Sequence, residues 1–194
     1  PSARIFGQNA FTGAINIVTK KDLGAQGIAR LSVGSFNQFQ GAVSTQLKQK
    51  NSDQILHFSR NTSQGYRYNT DFKNNNFFAK STFNKAQQPI VLMGTFLDRS
   101  FGANGFYSNK FPEQWEKTQM AMVGIKHNYN TTSKKYDPVY NWLRIQQQVM
   151  YRSHADEFRL KRFDPSFYTN THQSTVLSYE FNMTLGLGVH ELVW

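Results

Sequence analysis

Eight residues in two stretches have the types and clustering needed to capture a small molecule. They are Tyr66, Arg67 and Tyr68, then Arg99, Phe101, Asn104, Phe106 and Tyr107. Aromatic rings offer flat stacking area, while Arg, Asn and the Tyr hydroxyl add directed hydrogen bonds. The chemistry this predicts is non-covalent binding. Catalysis is not written in the chain: His57, His127, His154, His172 and His190 are dispersed, and a G-x-S-x-G nucleophile turn is missing. No catalytic residue and no enzyme activity are expected. The run SHADE carries possible metal ligands in His154, Asp156 and Glu157, but reads better as a solvated loop. Asp71, Asp98 and Asp164 lack the ordered spacing of a calcium loop. Hence no metal and no cofactor are expected. Sequons at Asn61, Asn130 and Asn182 are taken as chance matches in an Asn-rich chain.

The elements that must carry these residues follow from composition and period. Charged residues make up 18% of the 194 and aromatics 15%, with 17 Phe and 9 Tyr. Uncharged polar residues interleaved with aromatics suit pleated strands better than helices. The net charge of +10 invites a nucleic-acid reading. Its densest groups, residues 134–135 and 159–162, are too short for that, so no nucleic-acid partner is expected. Cysteine is absent, which excludes disulfides and thiolate metal sites. No run approaches the ~20 apolar residues of a spanning helix.

Alternation of apolar and polar residues recurs through residues 39–47, 75–84, 120–129, 143–152 and 176–185, and more weakly through 28–34, 54–60 and 90–97. Period two over such runs predicts strands. Several runs hold about ten residues, beyond the ~5–6 usual in soluble proteins and close to the ~9–11 of a tilted strand crossing a bilayer. The second parity carries Gln, Asn, Lys, Arg and Glu, as a watery interior requires. Connections alternate as well. Polar turns at 48–53, 85–89 and 130–141 contrast with long aromatic loops at 61–74, 98–117 and 153–172. Short turns on one side and long loops on the other mark outer-membrane barrels. The short link at 35–38 departs from that pattern. Trp115, Tyr129, Tyr140, Trp142 and Tyr151 are expected near strand ends, as in an interfacial girdle. A β-sandwich also shows alternating strands with regular turns.

The opening stretch PSARIFGQNAFTGAINIVTK resembles the closing segment of the plug domain of TonB-dependent outer-membrane receptors. Pro1, Phe6, Gly7, Ala10, Gly13, Ala14, Ile15, Asn16, Ile17, Val18, Thr19 and Lys20 carry the resemblance, and Phe11–Thr12 departs from it. Gly7, Ala10, Gly13, Asn16 and Thr19 are its motif positions. A softer likeness joins residues 101–118 to an outer loop of vitamin B12 receptor-like members. The resemblance implies an all-β fold: about 8–9 strands of a larger transmembrane antiparallel β-barrel, preceded by the last strand of a plug. Residues 1–22 would then end the plug, 23–27 link, and 28–194 begin the barrel, an internal piece whose last residues, GLGVHELVW, read as a strand cut midway. It further implies TonB-dependent uptake of a scarce nutrient (a corrinoid, an iron chelate or a glycan fragment) across the bacterial outer membrane. The implied partners are membrane lipid, the TonB complex through a segment not present here, and a surface lipoprotein. A passive porin-like barrel and a soluble β-sandwich binding module stand as the alternatives.

Overall fold

The computed structural model describes residues 23, 26–84, 88–132, 142–187 and 190–193. They form one antiparallel sheet of nine strands in chain order, each paired only with its sequence neighbours. The strands are β1 (Gly27–Gly34), β2 (Gln38–Lys48), β3 (Ser52–Ser63), β4 (Phe72–Phe83), β5 (Ile90–Gly102), β6 (Trp115–Thr132), β7 (Trp142–Arg159), β8 (Thr169–Leu187) and β9 (His190–Val193). No helix occurs among the described residues. β1 and β9 do not pair with each other, so the described sheet is open. The expected plug segment, with Gly7, Ala10, Gly13, Asn16 and Thr19, lies outside the described residues.

All eight alternating runs are strands, and each tertiary strand is longer than its alternation. β6 and β7 hold 18 residues and β8 holds 19, which is about 60 Å of extended chain each. The expected long loops at 61–74, 98–117 and 153–172 shrink accordingly to 64–71, 103–114 and 160–168. Pairing continues past the alternating core because antiparallel backbones need only each other's N–H and C=O groups. At that end polar and aromatic residues occupy both faces, so the period-two signal fades while the ladder persists. SHADE belongs to this extension. His154, Asp156 and Glu157 sit in β7 and not in a loop, with Glu157 on the face opposite Asp156 and bonded to Arg159 Nε at 2.6 Å. The closing stretch GLGVHELVW is not a single strand: β8 ends at Leu187, and His190, paired opposite it, starts β9.

The link at 35–38 is a tight hairpin. Phe36 and Asn37 both take left-handed φ, 59° and 52°, and Gln38 N–H donates to Ser35 C=O at 3.2 Å. Primed turns of this kind match the twist of the flanking strands. Left-handed φ costs a bulky residue such as Phe roughly 1–2 kcal/mol. Two bonds anchor the turn across to the end of β3: Gln64 N–H and Ser63 Oγ both donate to Phe36 C=O.

Register assigns every strand residue to one of two faces. On the first lie Leu31 and Val33, Phe39 and Val43, Leu56 and Phe58, Phe77 and Ala79, Leu92 and Phe96, Val123 and Ile125, Val149 and Tyr151, then Leu177 and Tyr179, each set opposite the next. Nearly all of these side chains are exposed, with Val123 at 57% and Leu177 at 74%. The second face carries Gln46, His57, Asn76, Lys80, Lys126, Gln148 and Glu180 at equivalent positions. Only Ile55 and Ala103 are buried apolar residues among those described. This single layer therefore has no apolar core. Backbone ladders hold it together, and its apolar face lies open.

Candidate functional site

The polar face ends beneath the loop side in two cross-strand rows. The upper row runs Ser63, Phe72, Phe101, Glu116, Phe158 and Asn170; the lower runs Asn61, Asn74, Arg99, Thr118, Asp156 and His172. Phe101 and Arg99 thus share a face with Glu116 because residues two apart in a strand point the same way. Tyr107 reaches down from loop 103–114 and donates its hydroxyl to Glu116 Oε2. Its ring meets Phe158 edge-on at 5.4 Å and Phe106 at 4.7 Å, while Phe106 meets Phe101 at 6.3 Å and Phe158 meets Tyr168 at 6.4 Å. Edge-to-face contacts of this type are worth ~0.5–1.5 kcal/mol beyond area burial. Partial burial and the bond to Glu116 together push the Tyr107 pKa up to about 12.

Arg99 is the cation of this cluster. Its guanidinium lies 3.7 Å from Glu116 Oε1 and donates to Thr118 Oγ1 at 3.3 Å. Arg99 Nε, Asn61 Oδ1, Asn74 Oδ1 and Gln114 Oε1 are buried with no hydrogen-bond partner among the described residues. An unsatisfied buried polar atom costs about 1–3 kcal/mol. Three of the four, Asn61 Oδ1, Asn74 Oδ1 and Arg99 Nε, lie side by side in the lower row.

Above these rows three loops are stitched together around Asn69. Its Nδ2 donates to Pro112 C=O at 2.9 Å and Gln114 C=O at 2.7 Å, and its Oδ1 accepts from Arg162 Nη1 at 3.1 Å. Arg162 also grips Asp71 with both terminal nitrogens, at 2.5 and 2.9 Å. Asn69 holds a left-handed φ of 52°, which Asn tolerates better than most residues. Gly102 passes directly beneath it: a Cβ there would lie 2.5 Å from Asn69 Oδ1 and 2.6 Å from its backbone oxygen.

The eight residues singled out for binding divide between these two arrangements. Arg67, Tyr68 and Asn104 are committed to loop docking. Arg67 Nη2 donates to Asn104 C=O at 2.9 Å, Asn104 Nδ2 to Tyr68 C=O at 2.7 Å, and Tyr68 Oη to Glu113 at 3.0 Å. The bond to Glu113 raises the Tyr68 pKa above its usual value. Tyr66 stands exposed with the Arg67 guanidinium 5.3 Å above its ring. Arg99, Phe101, Phe106 and Tyr107 meet in the aromatic cluster. Asn69, Glu113, Gln114, Glu116, Phe158 and Arg162 were not singled out. Their roles depend on contacts between segments distant in sequence, which the local pattern does not mark. Among the described residues no group of three His, Asp or Glu could hold a metal.

The girdle aromatics are placed in part. Trp115 opens β6 with Arg159 over its ring at 4.8 Å, and Trp142 opens β7 with Arg144 at 5.5 Å. Tyr151 sits inside the apolar belt rather than at a strand end, and Tyr140 lies outside the described residues. Fold and site define a single-layer antiparallel meander with one apolar face and a polar, aromatic-capped one. No protein-family model, curated protein or solved structure matches the chain.

Proposed function

We propose that this chain is part of the wall of an outer-membrane β-barrel receptor that takes up a scarce nutrient with the help of the TonB complex. One observation carries the barrel reading. The apolar face forms a continuous exposed belt across β1–β8, while the only buried apolar side chains among the described residues are Ile55 and Ala103. A single sheet cannot leave such a face in water, because monomeric soluble proteins rarely expose apolar patches beyond a few hundred Å². The belt runs through residues 121–129 of β6, 143–151 of β7 and 177–185 of β8, which matches the ~9–11 residues of a tilted spanning strand. A partner sheet would cover the face equally well in principle. Strands of 18 and 19 residues argue against a sandwich, whose strands are usually about a third as long.

The receptor step rests on the opening stretch and its likeness to a plug segment. Substrate would bind on the loop side, where Tyr66, Phe106 and Tyr107 expose aromatic surface and the Arg99 side chain is partly exposed beside them. A corrinoid, an iron chelate or a glycan fragment all suit stacking combined with hydrogen bonding. Energy would come from the inner membrane through TonB, with no chemistry in this chain. The test is fractionation of cells expressing the protein from its native gene, combined with cyanocobalamin uptake in the presence and absence of TonB. A heat-modifiable outer-membrane band with TonB-dependent uptake supports receptor and ligand together. Outer-membrane location with uptake independent of TonB returns the passive barrel, and a soluble product returns the sandwich.

A further inference from the structure

The two borders of the apolar belt differ in charge. At the turn side the strand positions on the apolar face include Leu47, Gln54, Phe83, Ile90, His127 and Leu185, and no Lys, Arg, Asp or Glu occurs among the described strand residues there. At the loop side the same face carries Arg60 immediately beyond Phe58, and Lys73 and Lys117 two outward positions beyond Phe77 and Ala121. Register brings the three together. Lys73 and Lys117 both stand opposite Ser100, one on each side of β5, so their backbones are about 10 Å apart. Arg60 is opposite Asn75, one diagonal step from Lys73, roughly 7–8 Å.

Two carboxylates share this border: Asp98 stands one diagonal step from both Lys73 and Lys117, and Glu157 stands opposite Lys117. Asp98 accepts from Asn75 Nδ2 at 3.2 Å and from Gln119 Nε2 at 3.0 Å. Glu157 is paired with Arg159 at 2.6 Å. Among the described residues no side-chain hydrogen bond or ion pair is made by Arg60, Lys73 or Lys117, whose backbones stay in the ladders. A basic trio bordering an exposed apolar surface, on one border only, matches one kind of occupant: an amphiphile with anionic headgroup and hydrocarbon tails. Two phosphates separated by a sugar-sized spacer would match the roughly 10 Å between the Lys73 and Lys117 backbones.

We propose that Arg60, Lys73 and Lys117 form a docking site for a lipid whose headgroup carries two phosphate groups, its acyl chains lying on the belt through Phe58, Phe77 and Ala121. The inference rests on the reading of the belt as lipid-facing. It adds that the loop-side leaflet supplies a specific bound lipid, which fixes the orientation of the wall.

The test uses the whole protein refolded into phosphatidylcholine vesicles, with and without a bis-phosphorylated glycolipid such as lipid A. Wild type is compared with R60Q/K73Q/K117Q and with the charge-keeping R60K/K73R/K117R. Insertion is scored by heat modifiability in pure phosphatidylcholine, and lipid capture by retention of labelled glycolipid on the purified protein. Each surface cation is expected to contribute roughly five-fold to capture, so the Gln triple should lose on the order of a hundred-fold while inserting normally. The charge-keeping triple should retain capture, and added salt should weaken it. Insertion with equal capture by wild type and the Gln triple overturns the docking site and leaves the belt reading intact. Displacement by free pyrophosphate as readily as by lipid overturns the lipid assignment. Failure of all three proteins to insert overturns the belt reading, and the docking site with it.

Discussion

Two adjacent residues of β7 separate a lipid-facing wall from a sheet whose apolar face meets water. Val149 lies on the apolar face between Ile125 of β6 and Tyr179 of β8; Gln148 lies on the polar face between Lys126 and Glu180. Val149→Lys would place an ammonium near the middle of the belt, where a basic side chain on the lipid face of a barrel costs ~2–4 kcal/mol. That is about 30-fold to 1,000-fold in the folding equilibrium. Gln148→Lys adds its charge beside one cation and one carboxylate, so the two effects nearly offset and the change should stay within ~1 kcal/mol. If the apolar face met water instead, Val149, 39% exposed, would be an ordinary surface position and its substitution would cost within ~0.5 kcal/mol. The assay is urea titration of the protein folded in phosphatidylcholine vesicles, read by heat modifiability and Trp fluorescence. Equal stability of the two variants would refute the assignment of faces to lipid and lumen. So would cooperative folding of wild type in buffer without lipid or detergent.

Further outcomes follow from the loop side. Arg162→Ala should free loop 64–71 from loop 160–168 at a cost of about 1.5–3 kcal/mol, the usual worth of hydrogen bonds to a charged group. Limited proteolysis should then cut these loops faster, and Arg162→Lys should restore only part of the protection because an ammonium cannot make the paired bonds to Asp71. Gly102→Ala should destabilise the same region by more than ~1 kcal/mol, since its Cβ would meet Asn69 at 2.5 Å; unchanged thermal unfolding would rule out that packing. Tyr107 should titrate near 12, later than an unperturbed Tyr. Because its folded pKa is raised, the stability it contributes is complete below about pH 10 and is lost as pH rises toward 12. Tyrosinate absorbance at 295 nm in wild type, compared with Tyr107→Phe, reads this directly, and a Tyr107 absorbance rise already complete near pH 10 would contradict the bond to Glu116.

Much of the fold was legible because a strand declares itself locally. Side chains alternate with a period of exactly two residues, so the run Leu177, Tyr179, Phe181, Met183, Leu185 announces both a strand and its apolar face without any knowledge of neighbours. The order of strands follows too, since turns of a few residues leave consecutive strands little choice but to pair. Strand ends were less legible. Past Ala121 toward Trp115 the residues are Met120, Gln119, Thr118, Lys117 and Glu116, which alternate in nothing, yet the ladder runs on to Trp115. Residues 153–157 read as a loop for the same reason, although each has a hydrogen-bonded partner strand on both sides.

The candidate site shows the division most clearly. Aromatic and polar residue types alone marked Phe101, Phe106 and Tyr107, and the structure brings those three into one cluster. Nothing in the residue types marked Asn69 as the joint of three loops or Arg162 as the partner of Asp71, 91 positions away. Nor did they show that Arg67 and Asn104 bond to each other. Side-chain alternation is a property of a residue and its immediate neighbours, so the sequence by itself determines strands, faces and their order. Which loop residue meets which is set by the register summed over intervening strands and by where each ladder stops, and the tertiary structure alone decides that.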